Sequence, residues 1–225
     1  MNLAKRLIII FTKKQTYMKT LILALTFFTS IIAFGQSFEG EIIYQNALKS
    51  KNPKITDEQW TQMIGIKQEF FIKQGNYKSL TNGTMALWQI YNNKENKVYT
   101  KMNNSETVLW NDASINSEEV IKLEIKKNVV TILGYSCDEL ILTCKSGVQK
   151  YYFSSKLPVD IKLFEQHKFG NWYEFLKNSK SLTLKTIIET PQFIMETIAL
   201  EVKPMKLEDK IFIIPADTKT AKSPY

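Results

Sequence analysis

Short apolar or alternating runs separated by polar turns dominate the chain after its first 36 residues. The dipeptide Asn82-Gly83 joins two of these runs and is typical of a hairpin turn. Regular spacing with polar turns predicts a meandering antiparallel sheet. The strand-like runs cover 41–45, 67–73, 77–80, 87–91, 98–99, 108–110, 129–133, 140–143, 151–153, 182–188, 193–202 and 211–214.

Two short helices interrupt the strand pattern. The first begins at a capping box formed by Thr56 and Gln59 and ends at Gly65. The second spans 171–177, and a weaker helix start lies at 117–119. A large sheet with short helices on one side is an α+β arrangement. The apolar face of the first helix carries Trp60, Met63 and Ile64, and that of the second carries Trp172, Phe175 and Leu176.

Residues 18–36 have the pattern of a secretory signal peptide. A basic start precedes an apolar stretch at 21–32, which is shorter than the roughly 20 residues of a membrane span. Small residues follow at Ala33 and Gly35, the positions that a signal peptidase inspects. We therefore expect cleavage near Gly35-Gln36, and a retained anchor is the alternative.

The leader defines the predicted domain organisation. Residues 1–35 are the signal peptide, with Met18 as an alternative translation start; residues 36–216 form one β-rich domain, and 217–225 form a loose tail. No cysteine lies at the cleavage site to carry a lipid anchor. The expected mature protein therefore has neither a membrane span nor a lipid anchor, and it resides in the periplasm or outside the cell.

The charge of the chain changes meaning once the leader is removed. The 225 residues carry 30 Lys and Arg against 22 Asp and Glu, a net charge of +8. The leader holds five of these cations and no acid, so the remainder has 25 cations against 22 acids, or +3. The sole arginine, Arg6, belongs to the leader. Arginine makes the commonest specific contact to guanine, so we expect no nucleic-acid binding.

Candidate catalytic groups are few. His167 is the only histidine, and its polar neighbours predict a surface position. No zinc-protease, phosphate-loop or nucleophile-elbow motif is present in the sequence. Cys137 and Cys144 lie seven residues apart, a spacing that favours two free buried thiols on one straight strand. A bridge across a bend and an intermolecular bridge are the alternatives. We expect neither an enzyme nor a bound cofactor or metal.

The large aromatic residues are the remaining candidate feature. They fill a core between the sheet and the helices, or they line a cavity for an apolar ligand, and composition does not separate these interpretations. As candidate ligand-binding residues we take Trp60, Met63, Trp88, Trp110, Phe169, Trp172 and Phe175.

Several stretches together resemble a known group of proteins. They are 37–44 (SFEGEIIY), 131–137 (TILGYSC), 151–158 (YYFSSKLP) and 207–216 (LEDKIFIIPA). Their order resembles that of secreted envelope proteins of unknown function from Gram-negative bacteria, which are related to the GLPGLI proteins and, more distantly, to the LolA/LolB lipoprotein carriers. The GLPGLI string itself is absent, as is the arginine known from LolA.

The resemblance implies an incomplete antiparallel barrel with short helices on its concave face. It also implies a periplasmic, non-enzymatic protein that binds a lipid, an acyl chain or another apolar molecule there. The alternative is a structural or interaction protein of the envelope with a filled core and no ligand, acting through a sheet edge or an aromatic patch. The sequence identifies no protein partner.

Overall fold

A computed structural model describes residues 37–116 and 118–224 of the chain. The predicted signal peptide, with its cleavage position and both candidate start residues, lies outside these described residues. Within them, every helix is too short or too polar to cross a membrane.

One open sheet of twelve strands forms the body of the protein. Its order is β12-β6-β5-β4-β3-β2-β1-β11-β10-β9-β8-β7, so β12 and β7 are the two edges and do not pair with each other. The chain is therefore an α+β half-barrel, as predicted. The strands are β1 (Gly40–Ser50), β2 (Lys67–Lys73), β3 (Asn76–Thr81), β4 (Ala86–Asn92), β5 (Lys97–Met102), β6 (Val108–Asp112), β7 (Val120–Ile132), β8 (Tyr135–Cys144), β9 (Gly147–Pro158), β10 (Ser181–Glu189), β11 (Phe193–Pro204) and β12 (Thr220–Lys222).

Both predicted helices are present. Helix α1 (Asp57–Ile64) has the complete capping box, with the Thr56 hydroxyl accepting from the Gln59 backbone and the Gln59 side chain accepting from Thr56. It ends at Gly65, whose φ of 93° favours glycine. Helix α2 (Trp172–Ser179) buries Phe175 and Leu176.

The helices lie on the same face of the sheet, which we call the inner face. Helix α2 packs on β9 and β10, and its Phe175 ring lies 4.5 Å from that of Tyr151 on β9. Helix α1 packs on β1, where the Asn46 side chain donates to the carbonyl of Gly65. The main buried core lies between this face and α2, together with residues 161–171, which connect β9 to α2.

Three local predictions differ from the structure. Residues 211–214 form no strand, because the 3₁₀ turn Asp209–Phe212 buries Phe212 against β3 and β4 instead of pairing with a neighbour. Glu118 and Glu119 lead into β7 rather than into a helix. Strand β7 itself begins about nine residues before its predicted start. It is an edge strand with solvent on much of both faces. Its apolar and polar residues therefore do not alternate regularly, and the start of the strand is hard to recognise in the sequence.

The C-terminal segment is more ordered than a loose tail. Thr220–Lys222 forms β12 and pairs with β6 in parallel, in an otherwise antiparallel sheet. Backbone hydrogen bonds flank the pairing, from Val108 to the Lys219 carbonyl and from Ser223 to the Trp110 carbonyl. Strand β12 pairs with the otherwise free edge of β6, and no local sequence pattern predicts this pairing.

Candidate functional site

The space beneath α2 is filled with protein side chains. Trp172 lies in an aromatic cluster, with ring centroids 5.5 Å from Tyr77, 6.0 Å from Phe175 and 6.3 Å from Phe70. Phe175 has no exposed surface. Rings at such separations fill a core and stabilise it by burial and edge or offset contacts. Trp172 and Phe175, two of the candidate ligand-binding residues, therefore belong to packed structure.

His167 is part of this cluster, and its predicted surface position is wrong. Its side chain is 1% exposed and its Nε2 atom lies 2.9 Å from the Tyr77 hydroxyl. Its ring lies 4.1 Å from that of Tyr91. Burial lowers the pKa of His167 to about 3, so the imidazole is neutral near pH 7. Its polar sequence neighbours suggested exposure. Glu165, Gln166 and Lys168 are indeed exposed, whereas the His167 side chain between them is buried.

Trp60 and Met63 occupy another part of the inner face. The Trp60 ring lies 4.7 Å from that of Phe193 on β11, which holds α1 against the sheet. Met63 lines a surface depression of about 270 Å³ together with Ile55, Gln59 and Gln62. Neither residue lies with Trp172 in one cavity.

Trp88 and Trp110 lie on the opposite, outer face of the sheet. Side chains alternate along a strand, and Trp88 and Trp110 are out of phase with Tyr91 and Asn111, which face inward. The Lys97 ammonium lies 4.5 Å from the centre of the Trp110 ring, a cation–π contact. The candidate aromatic residues are therefore distributed over both faces, with no shared site.

A cavity of about 640 Å³ lies where the inner face extends beyond the helices. Its floor is the inner face of β4, β5 and β6, and Phe169 is the one candidate ligand-binding residue that lines it. The turn after β6 is fixed to Phe169 by a backbone hydrogen bond from Phe169 to the Ala113 carbonyl. The lining consists of Gln89, Thr100, Met102, Leu109, Asn111, Asp112, Ile115, Phe169, Lys222 and Ser223.

The cavity is lined mainly by apolar side chains and by neutral polar groups. Met102, Leu109, Ile115 and Phe169 supply the apolar surface. Among the polar groups, the Gln89 amide nitrogen donates to the Thr100 hydroxyl over 3.3 Å. The volume lies within the range of small-molecule sites, which are concave and mostly apolar with a few polar groups.

Two charged residues lie at the margin of the cavity. Asp112 ends β6, and its carboxylate accepts hydrogen bonds from the backbone and hydroxyl of Ser114 over 2.9 and 2.6 Å. These hydrogen bonds hold the pKa of Asp112 below its usual value. Lys222 is an exposed residue of β12. Side chains alternate between the two faces along β6, so Asp112 lies on the outer side with Trp110, whereas Asn111 faces inward.

The two cysteines are free and buried. Burial raises the pKa of both the Cys137 and the Cys144 thiols, which keeps them protonated. In the described part of the chain, no three His, Cys, Asp or Glu side chains come together in a way that could hold a metal ion.

Sequence reasoning missed most of the cavity. Gln89, Thr100, Leu109 and Asn111 belong to short strands whose inner positions are mixed in polarity, so hydropathy alone does not mark them. One sequence signal was available: Gln89 and Tyr91 lie two residues apart on β4, so their side chains point to the same face of the sheet. Recognising it requires knowing that Tyr91 faces the core.

Comparisons with known proteins place the chain in no family. No protein-family model matches it, and no curated protein sequence matches it. Among solved structures, the crystal structure of LprF from Mycobacterium bovis matches with a TM-score of 0.30 and 10% sequence identity, covering 75% of this chain and 89% of LprF. A likeness of this size carries no functional inference.

Proposed function

We propose that this chain is a non-enzymatic binding protein that holds the apolar part of a lipid-like ligand in the cavity on β4, β5 and β6. The observation that supports it is the cavity itself, about 640 Å³ of largely apolar space on the inner face. Burial of apolar ligand surface there would supply the affinity.

The place of action in this proposal is the periplasm or the cell exterior. Its support is the secretory pattern of residues 18–36, which would direct export and then be removed. A relationship to the GLPGLI and LolA/LolB groups is part of the same proposal, and its support is the four short stretches together with the open half-barrel architecture.

The ligand occupies a different place from the one that the aromatic residues predicted. The region around Trp172 is closed by its own side chains, whereas Met102, Leu109 and Phe169 line open space. A filled core was expected if the protein had only a structural or interaction role. The structure has a filled central core together with a separate cavity at the periphery of the sheet. The proposal therefore assigns stability to the core and binding to the cavity.

The affinity for acyl chains should rise with chain length. Each additional buried methylene contributes about 0.8 kcal/mol, or roughly a fourfold gain in affinity, until the cavity is full. We would titrate monoacylglycerols of increasing length into protein purified from the full-length coding sequence, by isothermal calorimetry. An affinity independent of chain length would contradict the proposal.

A pair of matched variants tests the location of binding. Leu109→Asn places an amide on the apolar wall of the cavity and should weaken binding of the longer chains about tenfold, in line with the burial value of a leucine. Leu200→Asn makes the same change at a position on β11 that is 53% exposed and should leave binding unchanged. Equal affinities of the two variants would place the ligand elsewhere.

A further inference from the structure

The polar groups on the floor of the cavity are uncharged, and the charged lining residues, Asp112 and Lys222, lie at its margin. Gln89, Thr100 and Asn111 share the inner phase of β4, β5 and β6, as the pairing of Gln89 with Thr100 and of Asn111 with Val98 requires. Within the described residues, the Asn111 side chain makes no hydrogen bond, and the side-chain oxygen of Gln89 accepts none, since its amide nitrogen alone is bonded, to Thr100. The cavity thus presents an amide donor and two amide acceptors to whatever enters it.

Of the residues that the structure describes, Lys222 is the one cation in the cavity lining, and it belongs to the margin rather than to the floor on which Gln89 and Asn111 lie. The Lys222 ammonium belongs to exposed β12, where its residue pairs with outward-facing Trp110. Asp112 lies at the same margin, so its carboxylate offsets the Lys222 charge and an entering anion meets no uncompensated cation among the described lining residues. Moving a carboxylate out of water without a paired cation costs far more than moving an ester or amide that finds a hydrogen bond.

We propose that the ligand's apolar chain is joined to the rest of the molecule through a neutral ester or amide, and that the cavity discriminates against the free fatty acid. This inference rests on the proposed function, because it describes the ligand of the same cavity. The Asn111 amide nitrogen donates to the ligand carbonyl oxygen, and the Gln89 side-chain oxygen accepts from a ligand N–H or O–H group. The remainder of the ligand extends into solvent, since the cavity is open on one side.

Three probes with the same acyl chain test this assignment: monolauroylglycerol, lauroyl ethanolamide and laurate. Calorimetric titration at about pH 8, where a carboxylic acid is fully ionised, compares their affinities for the protein purified from its full-length coding sequence. The ester and the amide are expected to bind at least roughly tenfold more tightly than laurate, since a buried carboxylate would lack a partner.

Variants at the polar wall identify the groups responsible. Asn111→Leu keeps the side-chain size and should weaken binding of the ester and the amide roughly fivefold to tenfold, with little effect on laurate. Asn104→Leu makes the same change in the exposed turn between β5 and β6 and should have no effect. Thr100→Val, which removes only a hydroxyl, should cause a smaller loss in the same direction and serves if Asn111→Leu does not fold.

The outcomes separate the two proposals. Laurate binding as tightly as the ester would overturn the neutral-linkage assignment while leaving the cavity as a lipid site. Unchanged ester binding in both Asn111→Leu and Thr100→Val would overturn the role of this polar wall. If none of the three probes binds, the proposed function itself fails, and the linkage assignment fails with it.

Discussion

At the scale of single residues, His167 shows how burial controls chemistry. It lies among Tyr77, Tyr91 and Trp172, and its Nδ1 atom is buried without a hydrogen-bond partner in the described structure. A protonated imidazole there would be a charge without compensation. His167 is therefore a structural group, and acid should act on it by unfolding the protein.

We expect acidification to destabilise the protein through His167. The pKa of His167 is about 3 in the folded state and near 6.5 in the unfolded state, so below pH 6.5 the unfolded chain binds a proton that the folded chain does not. Stability contributed by the neutral imidazole is full above about pH 6.5 and is lost as the pH falls toward 3. From about pH 7.5 to 5.5 the unfolding free energy should fall by about 1.4 kcal/mol.

Denaturant unfolding at the two pH values measures this loss. His167→Gln removes the only histidine and retains hydrogen-bonding groups for Tyr77, so its stability should be nearly equal at both values. A wild-type stability that does not change over this range, or an equal fall in His167→Gln, would contradict the assignment.

At the scale of elements, the two edges of the sheet are protected differently. Strand β12 covers β6, whereas β7 leaves thirteen residues with one unpaired side and exposes Ile121, Ile125 and Val129. Lysines at 122, 126 and 127 and two register irregularities interrupt this edge. Charges and bulges on an edge strand oppose pairing with a second chain.

Removing edge lysines should therefore promote self-association. The double variant Lys122→Thr/Lys126→Thr keeps β-propensity but leaves the exposed apolar residues of β7 with less charge between them. Light scattering over a concentration series should show larger particles than for the wild type, and the melting temperature should fall somewhat, because Glu139 loses its 3.1 Å ion pair with Lys126. Lys94→Thr, in the exposed turn between β4 and β5, is the matched control. Monomeric behaviour of the double variant would show that other features protect the edge.

At the scale of the whole molecule, the C-terminal segment joins distant parts of the sheet. It leaves β11, crosses β3 and β4 through the turn containing Phe212, and ends as β12 beside β6. Lys222 and Ser223 then contribute to the cavity margin. A short strand with exposed side chains has little burial to retain it, so its pairing depends mainly on backbone hydrogen bonds.

Breaking that pairing should open the cavity margin. Ala221→Pro removes a backbone N–H in the middle of β12, so the strand should detach and exchange of bound monolauroylglycerol should become several-fold faster. Stopped-flow displacement measures the exchange rate, and the main core should keep the melting temperature within a few degrees of wild type. Ala216→Pro introduces the same residue before β12 and is expected to exchange like the wild type. An unchanged rate in Ala221→Pro would separate β12 from ligand access.

Local sequence signals determined much of the fold. The capping box at Thr56 predicted α1, because its hydrogen bonds join residues three apart. Asn82-Gly83 predicted a turn between β3 and β4, and a connection of four residues lies there, although neither residue has the positive φ of a tight Asn-Gly hairpin turn. Regular strand spacing predicted an antiparallel sheet, because strands joined by short polar turns pair with their neighbours along the chain. The open half-barrel came from the resemblance of longer stretches, and the sheet order agrees with it.

Tertiary structure alone decided which face each side chain occupies and where space remains. Trp88, Trp110 and Trp172 were equally candidates for ligand binding in the sequence, yet of these three only Trp172 joins the core, because strand phase and helix placement arise from pairings across the whole chain. The burial of His167, the pairing of β12 and the cavity at Phe169 likewise depend on residues far apart in sequence. Composition determines how much apolar surface a chain has, whereas packing determines which part of it is left open to a ligand.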